Sequence, residues 1–470
     1  MKILFVTAEA SPFAASGGLG DVMGALPCAI CSASEGVECE VIMPLYRRIK
    51  EEHRSQMKRV IDISFYLSWR KTGATVYSSE YNGVTYYFVE NHYYFDRDSM
   101  YGEADDGERF AFFSMAVLEY IRQSGNIPDI LHANDWQAAL SVVYLKTEYK
   151  HLEALAGIKT VYTIHNIEYQ GKFDPYILGD VFAIDNKFYS VLEWDGCINL
   201  MKGALATSDY INTVSPNYAS ELHYDYFAFG LSPMIDKVSD KFIGILNGID
   251  YEAFSPENGK DIFRPYGKTD RKSGKAYNKK ELQKQLGLEV RKDVPLIAMI
   301  TRLTAGKGVD LVLRVIDEIM ENDVQFVLLG TGDAVYEQLF AELGARYKSF
   351  KPLIRFDRAL SKKIYAAADL FLMPSKSEPC GLAQMIACSY GTVPIVRGVG
   401  GLKDSIRHNM NGFVFEDFNA HDMLSAVEEA LRLYREGAPF EKIVKCAKVS
   451  DFSWNSSAAQ YIKMYKSLVK

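Results

Sequence analysis

Short, mainly apolar runs alternate with helix-length stretches along almost the whole chain, and this alternation restricts the fold more than any other feature. In the first half the runs are Lys2-Ile3-Leu4-Phe5-Val6-Thr7, Cys39-Glu40-Val41-Ile42-Met43, Ile130-Leu131-His132, Thr160-Val161-Tyr162-Thr163-Ile164 and Tyr210-Ile211-Asn212-Thr213-Val214. The pattern starts afresh at Leu296-Ile297-Ala298-Met299-Ile300 and continues through residues 324–329, residues 369–373 and Val393-Pro394-Ile395-Val396. Strands that alternate with helices and lack a polar face belong to parallel sheets covered on both sides, so the expected class is α/β. Residues 60–88 are the exception and read as antiparallel strands with a hairpin turn at Asn82-Gly83. A chain of 470 residues exceeds one ordinary core. Two doubly wound, Rossmann-like domains are therefore expected, at residues 1–250 and 251–453, facing each other across a deep cleft that receives the strand C-termini. The polar stretch 255–280 marks the boundary region, and its six Lys and Arg residues after Tyr266 read as a solvated loop. A last helix from Trp454 to Leu468, in segment 454–470, is expected to pack back on the first domain.

Composition excludes some functions. A net charge of −7 argues against a nucleic-acid partner, which usually demands a basic surface. No apolar run reaches membrane-spanning length, and Glu9 interrupts the signal-like start too early for a leader, so no membrane partner is expected. Seven scattered cysteines suit a reducing compartment, and the cytoplasm is the expected location. Cys28 and Cys31 share one helix face, but no second pair completes a zinc site; they read as buried thiols.

Several polar motifs stand where strands end and helices begin. In Ser377-Glu378-Pro379-Cys380-Gly381-Leu382, free amides and a helix start suit an anion, and Glu378 beside them suits a developing positive charge. At the N-terminus, Ser16-Gly17-Gly18-Leu19-Gly20-Asp21-Val22 follows the first strand and lets the backbone approach a ligand closely. Its spacing is not G-x-G-x-x-G, which disfavours a nicotinamide-dependent oxidoreductase. Arg302 and Lys307 flank a glycine turn after the strand at 296–300, where a guanidinium fork and an ammonium suit one phosphate group. Asp135, in His132-Ala133-Asn134-Asp135-Trp136, reads either as a helix cap or as an acceptor for sugar hydroxyls. His165 and Asn166 suit a polar pocket wall, and Asn247-Gly248 reads at its plainest as a turn.

Taken together and in order, Gly17-Gly18-Leu19-Gly20-Asp21-Val22, residues 132–136, His165-Asn166, residues 246–250, Arg302 with Lys307, residues 378–382, Gly400-Gly401-Leu402 and Asp451-Phe452-Ser453-Trp454 resemble the bacterial glycogen synthases and plant starch synthases from residue 1 to about 468. The resemblance implies the GT-B fold. It also implies a retaining hexosyltransferase that moves glucose from ADP-glucose to the non-reducing end of an α-1,4-glucan, with no metal or other cofactor. By the same resemblance, Arg302 and Lys307 bind the diphosphate and Glu378 lies by the glucose. His165, Asp135 and Asn247 hold sugar hydroxyls, and Phe356 faces adenine. Gly17, Gly18, Asp21, Cys380, Gly381, Leu382, Gly400 and Gly401 line the donor site. The absence of two recognisable glycosidase carboxylates sets a hydrolase aside.

Two positions depart from the family pattern. Ala15 stands where a donor-contacting Lys is usual, and Gly306 where Gln is usual. Ala15 leaves two alternatives open: a related GT-B transferase with another nucleotide-sugar donor, and a low-activity glucan-binding paralogue.

Overall fold

The computed structural model describes residues 1–469. The chain forms two compact units: Met1–Ile245 together with the C-terminal segment from Trp454, and Leu246–Ser453.

The first unit is built on β1 (Lys2–Val6), β2 (Glu38–Pro44), β3 (Lys58–Leu67), β4 (Arg70–Tyr81), β5 (Val84–Glu90), β6 (Ile130–Asn134) and β7 (Lys159–Ile164). A small sheet of β8 (Lys172–Phe173), β9 (Glu193–Trp194) and β10 (Cys197–Asn199) follows, then β11 (Tyr210–Thr213) and β12 (Phe242–Gly244). The main sheet has nine strands in the order β12-β11-β7-β6-β1-β2-β5-β4-β3. It is parallel from β12 to β5 and antiparallel across β5, β4 and β3. Side-chain pattern follows pairing: Ile3 to Val6 of β1 are all buried, because helices cover both faces, whereas β3 alternates exposed and buried residues toward its end. The hairpin between β4 and β5 turns at Asn82 (φ 51°) and Gly83 (φ 75°), the two left-handed residues that a two-residue hairpin matching strand twist requires.

The helix Trp454–Leu468 belongs to this unit and packs against the helix Gly18–Ala33. A buried polar chain fixes it. His132 Nδ1 lies 2.6 Å from the Tyr465 hydroxyl, and His132 Nε2 lies 2.6 Å from Thr163 Oγ1. Thr163 Oγ1 donates to Asn212 Oδ1 (2.7 Å), and Asn212 Nδ2 donates to the Tyr461 hydroxyl (3.0 Å). Since Thr163 spends its proton on Asn212, His132 donates from Nε2 and accepts from Tyr465 at Nδ1, so the ring is neutral. Burial holds its pKa down at about 3.

The second unit carries a six-stranded, all-parallel sheet of β13 (Leu296–Ile300), β14 (Gln325–Gly330), β15 (Phe350–Ile354), β16 (Leu370–Met373), β17 (Val393–Arg397) and β18 (Phe413–Phe415), in the order β15-β14-β13-β16-β17-β18. The helix Val309–Met320 buries Val309, Val312, Val315, Ile316 and Ile319 on one stripe, at the spacing of an amphipathic helix. Its core is shared with the helix Ala420–Glu436.

Two expectations need correction. The basic cluster in residues 255–280 is not a solvated loop. The helix Arg271–Leu286 runs through it and points two lysines inward, four residues apart on one face. Lys275 is 8% exposed, with Nζ 2.8 Å from Thr392 Oγ1, and Lys279 is 4% exposed, with Nζ 2.7 Å from Asp369 Oδ2. Burial pushes the Lys275 ammonium down to about 7. Cys28 and Cys31 are half-buried rather than buried, and a hydrogen bond with the Cys39 thiol on β2 lowers the Cys31 pKa to about 7.

Candidate active site

Strand order places the site. In the first unit the chain runs outward from β1 through β2 to β5, and in the opposite direction from β6 through β7 to β12. In the second unit it runs from β13 to β15 one way and from β16 to β18 the other. Each sheet therefore reverses once, between β1 and β6 and between β13 and β16. Ligands of doubly wound sheets bind beyond the strand C-termini at such reversals. The segments that follow β1, β6, β13 and β16 hold the Gly17-Gly18 run, Asp135, Arg302 with Lys307, and Glu378.

In the first unit the loop after β1 folds around Glu9, which is 4% exposed. Glu9 accepts from Ser16 N (2.6 Å), Ser16 Oγ (2.6 Å), Gly17 N (3.3 Å) and the Tyr101 hydroxyl (2.8 Å). The Gly17 amide thus already serves an internal anion. Gly17 and Gly18 are exposed, and a Cβ on either would meet nothing within 4 Å, so packing does not demand glycine here. Open backbone of this kind suits close approach by a ligand. Asp21 lies one turn into the helix Gly18–Ala33 and accepts from Ser11 Oγ at 3.4 Å. Glu9 and Tyr101 were not legible as site residues; their only signal is a carboxylate and a phenol in otherwise apolar or loop surroundings.

Asp135 does not cap its own helix. It sits at φ 56°, and its Oδ1 accepts from the backbone amides of His165 (2.8 Å) and Asn166 (3.4 Å), tying the junction of β6 and its helix to the end of β7. Desolvation raises its pKa to about 7, opposed by those two amides and assisted by the charge on Glu9. His165 Nε2 lies 2.9 Å from Asn134 Oδ1. Asn134 uses its Nδ2 on the carbonyls of Val6 and His132, so His165 is the donor at Nε2 and keeps a lone pair at Nδ1. Burial holds the His165 pKa down at about 3, leaving a neutral ring that can accept from a hydroxyl.

In the second unit Lys307 and Glu378 meet directly. Lys307 Nζ donates to Glu378 Oε2 at 2.7 Å, and Ser375 Oγ donates to the same oxygen at 2.9 Å. The approach depends on Gly308 (φ 69°), where a Cβ would lie 2.0 Å from the Pro374 carbonyl oxygen; no other residue lets the loops after β13 and β16 touch. Gly400 (φ 46°) does the same for the loop after β17, where a Cβ would lie 1.9 Å from Glu378 O. Arg302 is exposed, and its guanidinium has no acceptor among the described residues. Asn247 is 5% exposed; its backbone N–H donates to Cys380 Sγ and its Oδ1 is buried without a partner. Burial pushes the Cys380 thiol up to about 12, so it is no nucleophile. Phe356 is 89% exposed on the loop after β15, two strands from β13.

The expected phosphate amides divide. Gly381 and Leu382 donate to no acceptor among the described residues. Gly401 does not join them, because its N–H donates to the carbonyls of Glu378 (3.1 Å) and Pro379 (3.2 Å). The helix that follows, Ala383–Ser389, has seven residues.

Each unit carries a doubly wound sheet with polar segments at its reversal point, the architecture of the GT-B class. Sucrose-phosphate synthase from Thermosynechococcus elongatus shares this fold at 16% identity, with a TM-score of 0.65 over 99% of this chain and 98% of that one. The family described as "Starch synthase catalytic domain" matches residues 2–237, and "Glycosyl transferases group 1" matches residues 279–444. Glycogen synthases of Natranaerobius thermophilus and Geobacillus stearothermophilus are each 44% identical over all of this chain, covering 97% and 98% of their own lengths. The catalytic domain of starch synthase IV from Arabidopsis thaliana, solved bound to ADP and acarbose, is 34% identical, with a TM-score of 0.90 over 99% of both chains. The chain belongs to the glycogen synthase and starch synthase family of glycosyltransferases.

Proposed function

We propose that the protein extends an α-1,4-glucan at its non-reducing end with glucose from ADP-glucose, retaining the anomeric configuration. The observation that carries this reading is the Lys307–Glu378 pair at the reversal of the second sheet, with Arg302 unpaired on the same loop. An ammonium has three N–H groups, and Glu378 takes one of those on Lys307, so two remain for a diphosphate. Arg302 offers a planar fork to the same group. The amides of Gly381 and Leu382 complete the anion site, and the diphosphate charge is met by these groups rather than by a metal ion. The relative solved with ADP and acarbose supports this choice of ligands.

The reaction then runs on one face of the sugar. The bond from the anomeric carbon to the diphosphate oxygen breaks as the acceptor hydroxyl attacks from the same side, and the hydroxyl proton passes to the departing phosphate. Arg302 and Lys307 stabilise charge on the leaving oxygen, and Glu378 faces the oxocarbenium-like carbon. Such aimed donors are each worth on the order of 10²–10³ in rate. The neutral His165 accepts from a sugar hydroxyl, Asp135 and Asn247 hold others, and Phe356 stacks on adenine. A cytoplasmic setting keeps the seven thiols reduced.

The test is glucosyl transfer by the purified protein from ADP-glucose and from UDP-glucose to a maltooligosaccharide, with and without a chelator. Transfer from ADP-glucose in both conditions supports the reading. Transfer from UDP-glucose alone overturns the donor, and glucan binding without any transfer overturns catalysis.

A further inference from the structure

β17 buries its first four residues and ends on a half-buried arginine. Arg397 Nη1 donates to the Lys376 carbonyl at 2.6 Å, and its Nε donates to the Glu416 carbonyl at 3.2 Å. The guanidinium carbon lies 5.4 Å from the centre of the Phe418 ring. One planar group thus spans the segments that follow β16 and β18. Both acceptors are backbone carbonyls rather than carboxylates, so this side chain fixes the course of the chain rather than neutralising a charge.

Lys376 stands two residues before Glu378 and is held on its other side as well. Its N–H donates to the carbonyl of Gly306, the neighbour of Lys307, at 3.0 Å. Just past the end of β17, the Gly401 N–H donates to the Glu378 carbonyl at 3.1 Å. Residues 376–378 therefore lie between two brackets. Gly306 and Lys307 form one, from the loop after β13; Arg397 and Gly401 form the other. Gly306 and Gly401 act through backbone groups, and Lys307 touches the carboxylate itself. Arg397 is the contact that a substitution removes without disturbing either.

Two physical points separate this role from general support of the fold. Arg397 lies outside the buried apolar cluster of the second unit, so its truncation opens no core cavity. Its carbonyl partners belong to exposed residues, where water replaces a lost hydrogen bond at little cost. Position is less forgiving, since a displacement of about 1 Å at a reacting group costs up to about 10²-fold in rate. We propose that Arg397 is a positioning residue for glucosyl transfer: by tying the Lys376 carbonyl to the end of β17, it fixes where the Glu378 carboxylate stands. This inference rests on the function proposed above and on the role of Glu378 in it.

The test is a double-mutant cycle on glucosyl transfer from ADP-glucose by the full chain. Arg397→Met is expected to lower kcat about tenfold, with the donor KM within about twofold of wild type and an unchanged thermal melting curve. Arg397→Lys reaches one carbonyl but cannot bridge two, and is expected to recover part of that loss. In a Glu378→Gln background, Arg397→Met is expected to cost less than about twofold more, because the group it positions is already replaced. Where Arg397→Met fails to fold, Arg397→Lys takes its place in the cycle. Wild-type turnover in the single variant overturns the inference. The same fold loss with and without Glu378 also overturns it, because the effect then lies on another group. Failure of the wild type to transfer glucose at all is a separate result: it removes the proposed function, and this inference with it.

Discussion

Lys307 Nζ and Glu378 Oε2 are 2.7 Å apart, which joins the loops after β13 and β16 through one charge-assisted hydrogen bond. Each group has a proposed task in transfer and is also the other's counter-charge. Removing one side leaves the other partly buried and unpaired, although Ser375 still donates to Glu378. Lys307→Ala and Glu378→Ala are each expected to lower kcat by at least about tenfold with an unchanged circular-dichroism spectrum. Glu378→Gln keeps the size of the side chain but not its charge; it is expected to fold as the wild type and to lose kcat like the alanine. Wild-type turnover in any of the three removes that residue from the mechanism.

Gly400 touches no expected reacting atom, yet its left-handed backbone lies against the carbonyl of Glu378, 1.9 Å from where a Cβ would be. Gly400→Ala therefore has to push the backbone of Glu378 aside. The expected outcome is a fall in kcat of about tenfold or more with a smaller change in donor KM, since a displacement of about 1 Å at a positioned group costs that much. Steady-state kinetics decide; a change in KM alone shows that the carbonyl moves without the carboxylate.

The buried histidines set how the fold responds to acid. His132 and His165 have pKa values held at about 3 against the usual 6.5. The unfolded chain binds more protons than the native state between those values. Their contribution to stability is therefore complete above 6.5 and is lost as pH falls toward 3. Denaturant unfolding at about pH 7.5 and about pH 5 is expected to show a loss on acidification that is smaller in His132→Phe. The variant starts lower at neutral pH, since the Tyr465 and Thr163 hydroxyls lose a partner at about 1–3 kcal/mol each. An equal acid loss in both proteins shows that His132 is not the group titrating.

Much of this arrangement is legible in the sequence, and the failures share a cause. Runs such as Ile3 to Val6 and Leu296 to Ile300 announce parallel strands because burial on both faces leaves no polar residue in them. Asn82-Gly83 announces its hairpin because few other pairs adopt left-handed backbone twice. β8, β9, β10, β12 and β18 are two or three residues long and carry no period to detect. Gly308 and Gly400 show in the sequence only as glycines, while the carbonyls they admit come from residues 66 and 22 positions away, which no local pattern reveals. Glu9 failed for the same reason: its partners are amides fixed by loop geometry. Lys275 and Lys279 were misread because a basic run looks alike whether its ammonium groups face water or the carboxylate of Asp369.

Asp135 should report on pH near neutrality. Desolvation raises its carboxyl to about 7, so it gains a proton just below neutral pH. Its stability effect is opposite in sign to that of the histidines: present at low pH and lost as pH rises through about 7. If the ionised form accepts from a sugar hydroxyl, kcat/KM rises through pH 7. Asn at this position tolerates the left-handed backbone but cannot titrate. Asp135→Asn is expected to flatten that inflection in the kcat/KM profile while leaving folding intact, and an inflection that persists assigns it to another group.

Ala15 stands where the family resemblance leads to a donor-contacting lysine, and Glu9 controls what a change there achieves. A Cβ placed on Gly20 would lie 2.3 Å from Ala15 Cβ and 3.2 Å from Glu9 Oε2, so a lysine at residue 15 starts beside that carboxylate. Glu9 in turn holds the amides of Ser16 and Gly17 and the Tyr101 hydroxyl. If residue 15 faces the donor, as the family resemblance implies, an added ammonium divides between Glu9 and the diphosphate. Ala15→Lys is expected to tighten ADP binding by about threefold to tenfold, with a steeper salt dependence, because one more cation faces the phosphates but is partly neutralised. Adding Glu9→Gln frees the ammonium and is expected to tighten binding further, provided the loop keeps its amide contacts through the Gln carbonyl. Titration of ADP at two ionic strengths measures all three proteins. Weaker binding in Ala15→Lys shows that the lysine draws Glu9 off Ser16 and Gly17 and opens the loop, in which case the native alanine protects the clamp.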